Sequence, residues 1–184
     1  MPLLLSVIAF AAILIISQAI YNGIGPMPSS KKVSKALLNS LGDLDQNLHI
    51  VELGAGWGSL LIPIAQKYPS STITAFENSL IPYLFCRLRL QFSPCKNVRL
   101  YRKSFYSVSL QDYDIFICYL YPGAMLRLSE KLKKEMKPSA ILLSSTFHLP
   151  GYKSSHEYDL DDLYRTRIFQ YKSCNFLPSH GKES

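Results

Sequence analysis

The chain predicts an α/β domain built on an open, mostly parallel sheet with helices on both faces. Three observations carry this. Short β-rich runs alternate with helical runs along the chain. A glycine cluster joins the first of those strands to the helix that follows it. The 184 residues are 48% apolar and 18% charged, enough for one domain with its own core and unlike an acidic disordered chain.

The N-terminus is set apart from the rest. Residues 1–30 contain no Asp, Glu, Lys or Arg, so all 13 acidic and 20 basic side chains, and the net charge of +7, lie in residues 31–184. Residues 2–20 are uncharged and largely apolar, and as a helix they would extend ~28 Å, close to the ~30 Å hydrocarbon core of a bilayer. We read residues 1–21 as a membrane anchor. The rival is a cleaved signal peptide ending near Ser17-Gln18-Ala19, but the run lacks a basic start and exceeds the usual apolar length of such peptides. Lys31, Lys32 and Lys35 follow the run, so the positive-inside rule places the remainder on the cytoplasmic or organelle-matrix side. The same lysines also suit a solvated helix face.

Residues 22–30, with Gly23, Gly25, Pro26 and Pro28, read as a linker. Val33, Leu37, Leu38 and Leu41 then recur at helical spacing after Ser29 or Ser30 as N-cap, and Gly42 ends the run. A strand is expected at 49–53, a helix at 59–67, a strand at 72–76, a helix at 82–92 and strands at 98–101 and 114–120. An amphipathic helix at 126–136 and an apolar strand at 140–146 follow. Alternation over 165–171 permits one more strand, which closes a domain spanning 31–175; residues 176–184 read as a frayed tail. Glu157, Asp159, Asp161 and Asp162 are expected in a solvated loop, with attraction of a cationic segment as the alternative. Cys86, Cys95, Cys118 and Cys174 have no metal-ligand spacing, and nothing requires disulfides; Cys118 reads as a small core residue.

The most informative stretch is Glu52-Leu53-Gly54-Ala55-Gly56-Trp57-Gly58. Gly54 permits a tight turn, Gly56 lets a ligand approach the backbone, and Gly58 allows close helix packing. A dinucleotide fingerprint would need a glycine at 59, which is serine, and a phosphate-binding GxxxxGK[ST] loop is absent. Glu77 ends the second strand, nineteen residues after Gly58.

An acidic residue followed by GxGxG, with a second acid at the end of the next strand, resembles the first motifs of class I S-adenosylmethionine-dependent methyltransferases. VELGAGWG, AFENSLIPYLFCRLR and DIFICYLYPGAMLRLSEKLKKEMKPSAILLSSTFHLPGY together resemble the small membrane-anchored protein-lysine methyltransferases, the family that includes enzymes acting on the ATP synthase c subunit and the adenine nucleotide translocase. The resemblance covers residues 24–171. It implies a Rossmann-like methyltransferase sheet, S-adenosylmethionine as cofactor and a lysine-bearing membrane protein as substrate, with no metal. Glu52, Gly54, Ala55, Gly56, Trp57, Gly58, Glu77, Asn78, Ser104 and Phe105 would bind the cofactor, with Glu77 accepting from the ribose hydroxyls. The chain departs from the family at Trp57 and Ser59, where Asp and Arg are usual, and at Ser104, where an acid is common.

Methyl transfer from a sulfonium needs alignment of the acceptor and a neutral amine, which desolvation promotes. Tyr119, Tyr121 and His148 are the candidates for the acceptor side; each is equally readable as a packing or turn residue. Trp57 either shields the methionine end of the cofactor or packs beneath its loop. Asp114 reads as structural. Arg87, Arg89, Lys96, Arg99, Arg102 and Lys103, with Lys131, Lys133, Lys134 and Lys137, could bind RNA, but no Asn/Asp-Pro-Pro-Tyr base-methylating motif is present and an anionic inner leaflet is the simpler partner. A lipid or small-molecule methyltransferase and a non-catalytic scaffold are the alternative functions.

Overall fold

The structure is a computed structural model that describes Ser6 and residues 31–42, 47–93 and 95–172. Its elements are α1 (Lys31–Leu41), β1 (His49–Leu53), α2 (Leu61–Lys67), β2 (Thr72–Phe76), α3 (Leu80–Gln91), β3 (Val98–Tyr101), a 3-10 turn (Phe105–Ser107), β4 (Ile115–Cys118), α4 (Pro122–Glu135), β5 (Ile141–Ser145), β6 (His156–Asp159) and β7 (Arg167–Lys172). One seven-stranded sheet runs β3-β2-β1-β4-β5-β7-β6. The first five in that order are parallel, whereas β7 is antiparallel to both β5 and β6. The order reverses between β1 and β4, so a crevice is expected outside their carboxyl ends.

Alternation along the strands divides the core in two. Ile50, Ile73, Ile115 and Ile117 face one layer, covered by Leu37 of α1, Leu61 and Ile64 of α2 and Cys86 of α3. Val51, Leu53, Phe116 and Leu142 face the other, covered by Met125, Leu128 and Leu132 of α4 together with Phe105. Both sides of the central strands are therefore buried, and their near-continuous apolar runs follow from that. In α1 the expected stripe is present, with Val33, Leu37 and Leu41 buried, and Gly42 ends the helix at φ +65°. Cys118 is a buried core thiol.

Three expectations need correction. The helix placed at 126–136 begins at Pro122, because proline is favoured in a first helical turn, where no N–H is needed. The helix placed at 59–67 begins at Leu61, since the residues before it form the turn that the glycines require. The acidic stretch is not wholly a loop: His156–Asp159 is the edge strand β6, exposed at every position. Arg167 holds it, with Nε donating to Asp159 Oδ1 at 2.6 Å and Nη1 to Glu157 Oε2 at 3.4 Å. Asp161 and Asp162 lie in the turn beyond it, where Asp162 accepts from the backbone and hydroxyl of Thr166.

Among the described residues no helix is long and apolar enough to cross a membrane. Except for Ser6, the anchor assigned to residues 1–21 lies outside the described residues, as do the linker at 22–30 and the tail at 176–184. The charge of Lys32, at the start of α1, helps lower the pKa of Asp162 in the β6–β7 turn, after the Thr166 hydrogen bonds that are the main cause.

Candidate functional site

At the carboxyl end of β1 the backbone turns back on itself. Gly54 and Ala55 donate their N–H groups to Phe76 O, at 2.9 and 3.0 Å, so the loop hangs from the end of β2. Gly56 has φ +54°, and a Cβ there would meet nothing within 4 Å. Its side of the loop is open, and glycine is required by conformation alone. Gly58 is required twice over, since it has φ +68° and a Cβ would collide with Cys86 Sγ on α3.

Two buried carboxyl groups lie against this loop. Glu77 Oε2 accepts from Gly56 N at 2.7 Å and its Oε1 accepts from Ser79 N at 2.6 Å, strapping the loop to the start of α3. Each oxygen keeps a further lone pair for a ligand hydroxyl. Glu52 is buried on β1, and its Oε2 has no hydrogen-bond partner in the protein. Burial first, and the charge of Glu77 second, push its carboxyl up to about 8. An unpaired buried carboxyl costs stability, which a ligand bringing donors or positive charge would offset.

The other expected cofactor residues are spread around this edge. Asn78 follows Glu77 and is exposed. Trp57 is half-buried and meets Phe85 of α3 edge-on, with ring centroids 5.3 Å apart, while its carbonyl accepts from Arg89 at 2.9 Å. Ser104 caps the 3-10 turn through Tyr106 N. Phe105 is buried among Leu53, Phe76 and Leu120, its ring 4.2 Å from that of Tyr106. Much of Phe105 is therefore spent on core packing.

On the acceptor side, Tyr119 and Tyr121 lie just beyond β4, and His148 just beyond β5. Tyr119 stacks on Phe147, centroids 6.2 Å apart and planes 17° apart. Thr146 takes φ +72°, a strained conformation for a β-branched residue, and it redirects the chain at the end of β5. Ser144 Oγ donates to Phe147 O at 2.6 Å, and Leu149 N donates to Tyr171 Oη at 2.8 Å; together these pin the segment that carries Phe147 and His148. His148 itself is exposed. Tyr121 precedes α4 and covers Gly123, where a Cβ would lie 2.8 Å from its ring.

Sequence reasoning missed Phe147, Cys86 and Ser79. Phe147 stood in a quoted motif, but its partner depends on the β4–β5 register, which pairs Cys118 with Ser144. Asp114 is structural, as expected, and lies at the opposite edge of the sheet, accepting from His49 N and Lys137 Nζ. A cavity of about 420 Å³ also opens at that edge, lined by Ala65, Gln66, Pro69, Cys95, Lys96 and Asn97; it has no carboxylate and adjoins none of the expected residues.

Comparison with known proteins gives this geometry a context. The profile of the ANTKMT methyltransferase domain matches residues 52–156, which begin at Glu52 and include both tyrosines and His148. Among solved structures, an RNA methyltransferase from Salinibacter ruber in complex with S-adenosyl-L-homocysteine superposes with a TM-score of 0.73 at 18% identity, covering 83% of this chain and 97% of its own. The precorrin-6y C5,15-methyltransferase from Geobacter metallireducens gives 0.61 at 17%, covering 79% and 92%. PKMT2 from Rickettsia typhi, in complex with AdoHcy, gives 0.50 at 22%, covering 59% of this chain and 23% of its own. At these identities the likeness is one of fold, that of Rossmann-like class I methyltransferases. No curated protein matches the chain.

Proposed function

The chain belongs to the ANTKMT methyltransferase domain family and is an S-adenosylmethionine-dependent methyltransferase; from that premise we propose that it methylates a lysine side chain of a membrane protein, with residues 2–20 as its anchor. The family match over residues 52–156 carries the reading.

The residues present fit the cofactor. Glu52 Oε2 is buried without a partner and suits a positively charged amino group. Glu77 has acceptor capacity left for two ribose hydroxyls, and the backbone at Gly56 is open. S-adenosylmethionine, when bound, supplies an electrophilic methyl group on a sulfonium. The work left to the protein is to align the acceptor nitrogen and to favour its neutral form. Tyr119, stacked on Phe147, offers an aromatic wall with a hydroxyl, and Tyr121 a second hydroxyl at the same edge. Excluding water there would lower the lysine pKa from its free value near ~10.4. His148 would line the mouth as a polar group.

Membranes incubated with the full chain and methyl-labelled S-adenosylmethionine test this. We expect a labelled protein whose label maps to lysine. Label confined to an organic-extractable lipid or to a soluble metabolite would overturn the lysine reading.

A further inference from the structure

Helix α3 is apolar on two faces, and only one is used. Pro82 and Cys86 are buried, with Cys86 in the core layer shared with α1 and α2. Leu84, Phe85, Leu88 and Phe92, at the C-cap, are 50%, 46%, 51% and 84% exposed. At about 100° per residue these four side chains fall within a stripe about 100° wide, and Arg87 and Arg89 flank it on either side.

The charge around this stripe is one-sided. Residues 78–111 contain Arg87, Arg89, Lys96, Arg99, Arg102 and Lys103 and no Asp or Glu, so this stretch holds most of the net charge of +7. Among the described residues no ion pair involves Arg87 or Arg89, whereas on α4 Lys131 pairs with Glu135 and Lys133 with Glu130. The helix α1, which packs in the same layer as α3, exposes Lys31, Lys32 and Lys35.

We propose that α3 is a bilayer-contact helix, its Leu84, Phe85, Leu88 and Phe92 stripe lying in the headgroup–acyl boundary of an anionic membrane while the arginines beside it engage lipid phosphates. An apolar face bordered by basic side chains is the signature of a helix lying in a membrane interface. Single-stranded nucleic acid would instead be met by basic residues with a run of aromatic platforms for successive bases; of the two rings on this stripe Phe85 is held edge-on by Trp57, which leaves Phe92 beside Leu84 and Leu88 without such a run. A protein partner would have no reason to require basic side chains on both flanks of the stripe, Arg87 without an ion-pair partner among the described residues and Arg89 held only by the Trp57 carbonyl. Because Phe85 touches Trp57, the contact extends to the rim of the glycine loop. The proposal rests on α3 itself and stands whether or not residues 2–20 span the bilayer.

The test uses the full chain with vesicles carrying bromine-labelled acyl chains, made either of phosphatidylcholine alone or with phosphatidylglycerol. Phe92→Trp in a Trp57→Phe background provides a single indole on the stripe, and Leu126→Trp, on α4 across the sheet, provides the control. We expect the indole at 92 to be quenched, more strongly with the anionic vesicles, and the indole at 126 to be unaffected. Arg87→Glu should cut the extra quenching at 92 that the anionic vesicles give, whether or not an inserted anchor holds the chain on the vesicle. No quenching at 92 would overturn the proposal, as would equal quenching at both positions. A blue shift at 92 without bromine quenching would mean a protein partner or a second copy and would also overturn it. Vesicle flotation of the full chain carrying Leu84→Ser and Leu88→Ser reports the anchor separately, since an inserted anchor keeps the chain on vesicles whatever happens at α3. Amide hydrogen exchange on the unmodified chain needs no substitution: anionic vesicles should slow exchange in residues 84–92, and slowing by an unstructured oligoribonucleotide in their place would overturn the membrane assignment.

Discussion

Glu52 on β1 and Asp114 just before the neighbouring β4 lie at opposite edges of the sheet and in opposite electrostatic states. Asp114, at the amino edge, accepts from His49 N at 2.8 Å and from Lys137 Nζ at 2.8 Å. Partial burial acts to raise its pKa, but the hydrogen bonds from Lys137 and His49 outweigh it and hold the carboxyl below the usual aspartate range. Glu52, at the carboxyl edge, is more deeply buried, faces a second carboxylate and leaves Oε2 unpaired. A satisfied charge that ties two elements together is a structural part. A buried carboxyl with one oxygen unpaired, beneath an open glycine loop, suits a ligand that brings a donor or a positive charge.

The largest expected effect breaks the carboxyl edge mechanically. Gly58→Ala adds a methyl where Cys86 Sγ stands and forces an L-residue into φ +68°, which should cost about 3 kcal/mol. Denaturant melts would check this, and a Cys86→Ala background should recover part of the loss by removing the sulfur. Glu77→Ala comes next. It leaves the N–H groups of Gly56 and Ser79 without their acceptor, so cofactor affinity measured by calorimetry should fall tenfold or more, accompanied by about 1–3 kcal/mol of stability.

Glu52 and Asp114 then predict opposite pH responses. The folded state holds the Glu52 proton up to about pH 8, while an unfolded chain releases it in the ordinary glutamate range, so the folded state binds more protons between these limits. Its contribution is therefore greatest in acid and is lost as pH rises through about 8. The melting temperature of the cofactor-free chain should fall from pH 5 to 9, and Glu52→Gln should flatten that slope. Asp114 has the reverse sign: its contribution is present at neutral pH and lost as pH drops below the usual aspartate range. Asp114→Asn, at a partly exposed pair, should cost only about 0.5–1 kcal/mol and leave cofactor affinity unchanged.

The glycine-loop end of the candidate site was the more legible part because it is written in local backbone geometry. Glycines at 54, 56 and 58 declare left-handed turns, and Glu77 falls at a strand end by simple spacing. The parallel order of the central strands followed from the alternation of elements. The arrangement around Tyr119 was less legible, since Tyr119 meets Phe147 only through the pairing of β4 with β5 and through the strained turn at Thr146, neither of which leaves a periodic trace. Strand β6 escaped notice because a fully exposed edge strand carries no apolar alternation. The exposed stripe of α3 was hidden for a related reason: Leu84, Leu88 and Cys86 look alike in a sequence, and only the packing separates those that face the core from those that do not.

The most direct measurement is amide hydrogen exchange on the full chain with and without S-adenosylhomocysteine. The account predicts slowed exchange at residues 52–58 and 76–79, lost in Glu77→Ala and retained in Asp114→Asn. Protection instead at the opposite edge, around the cavity formed by Ala65, Gln66, Pro69 and Cys95 to Asn97, would contradict it.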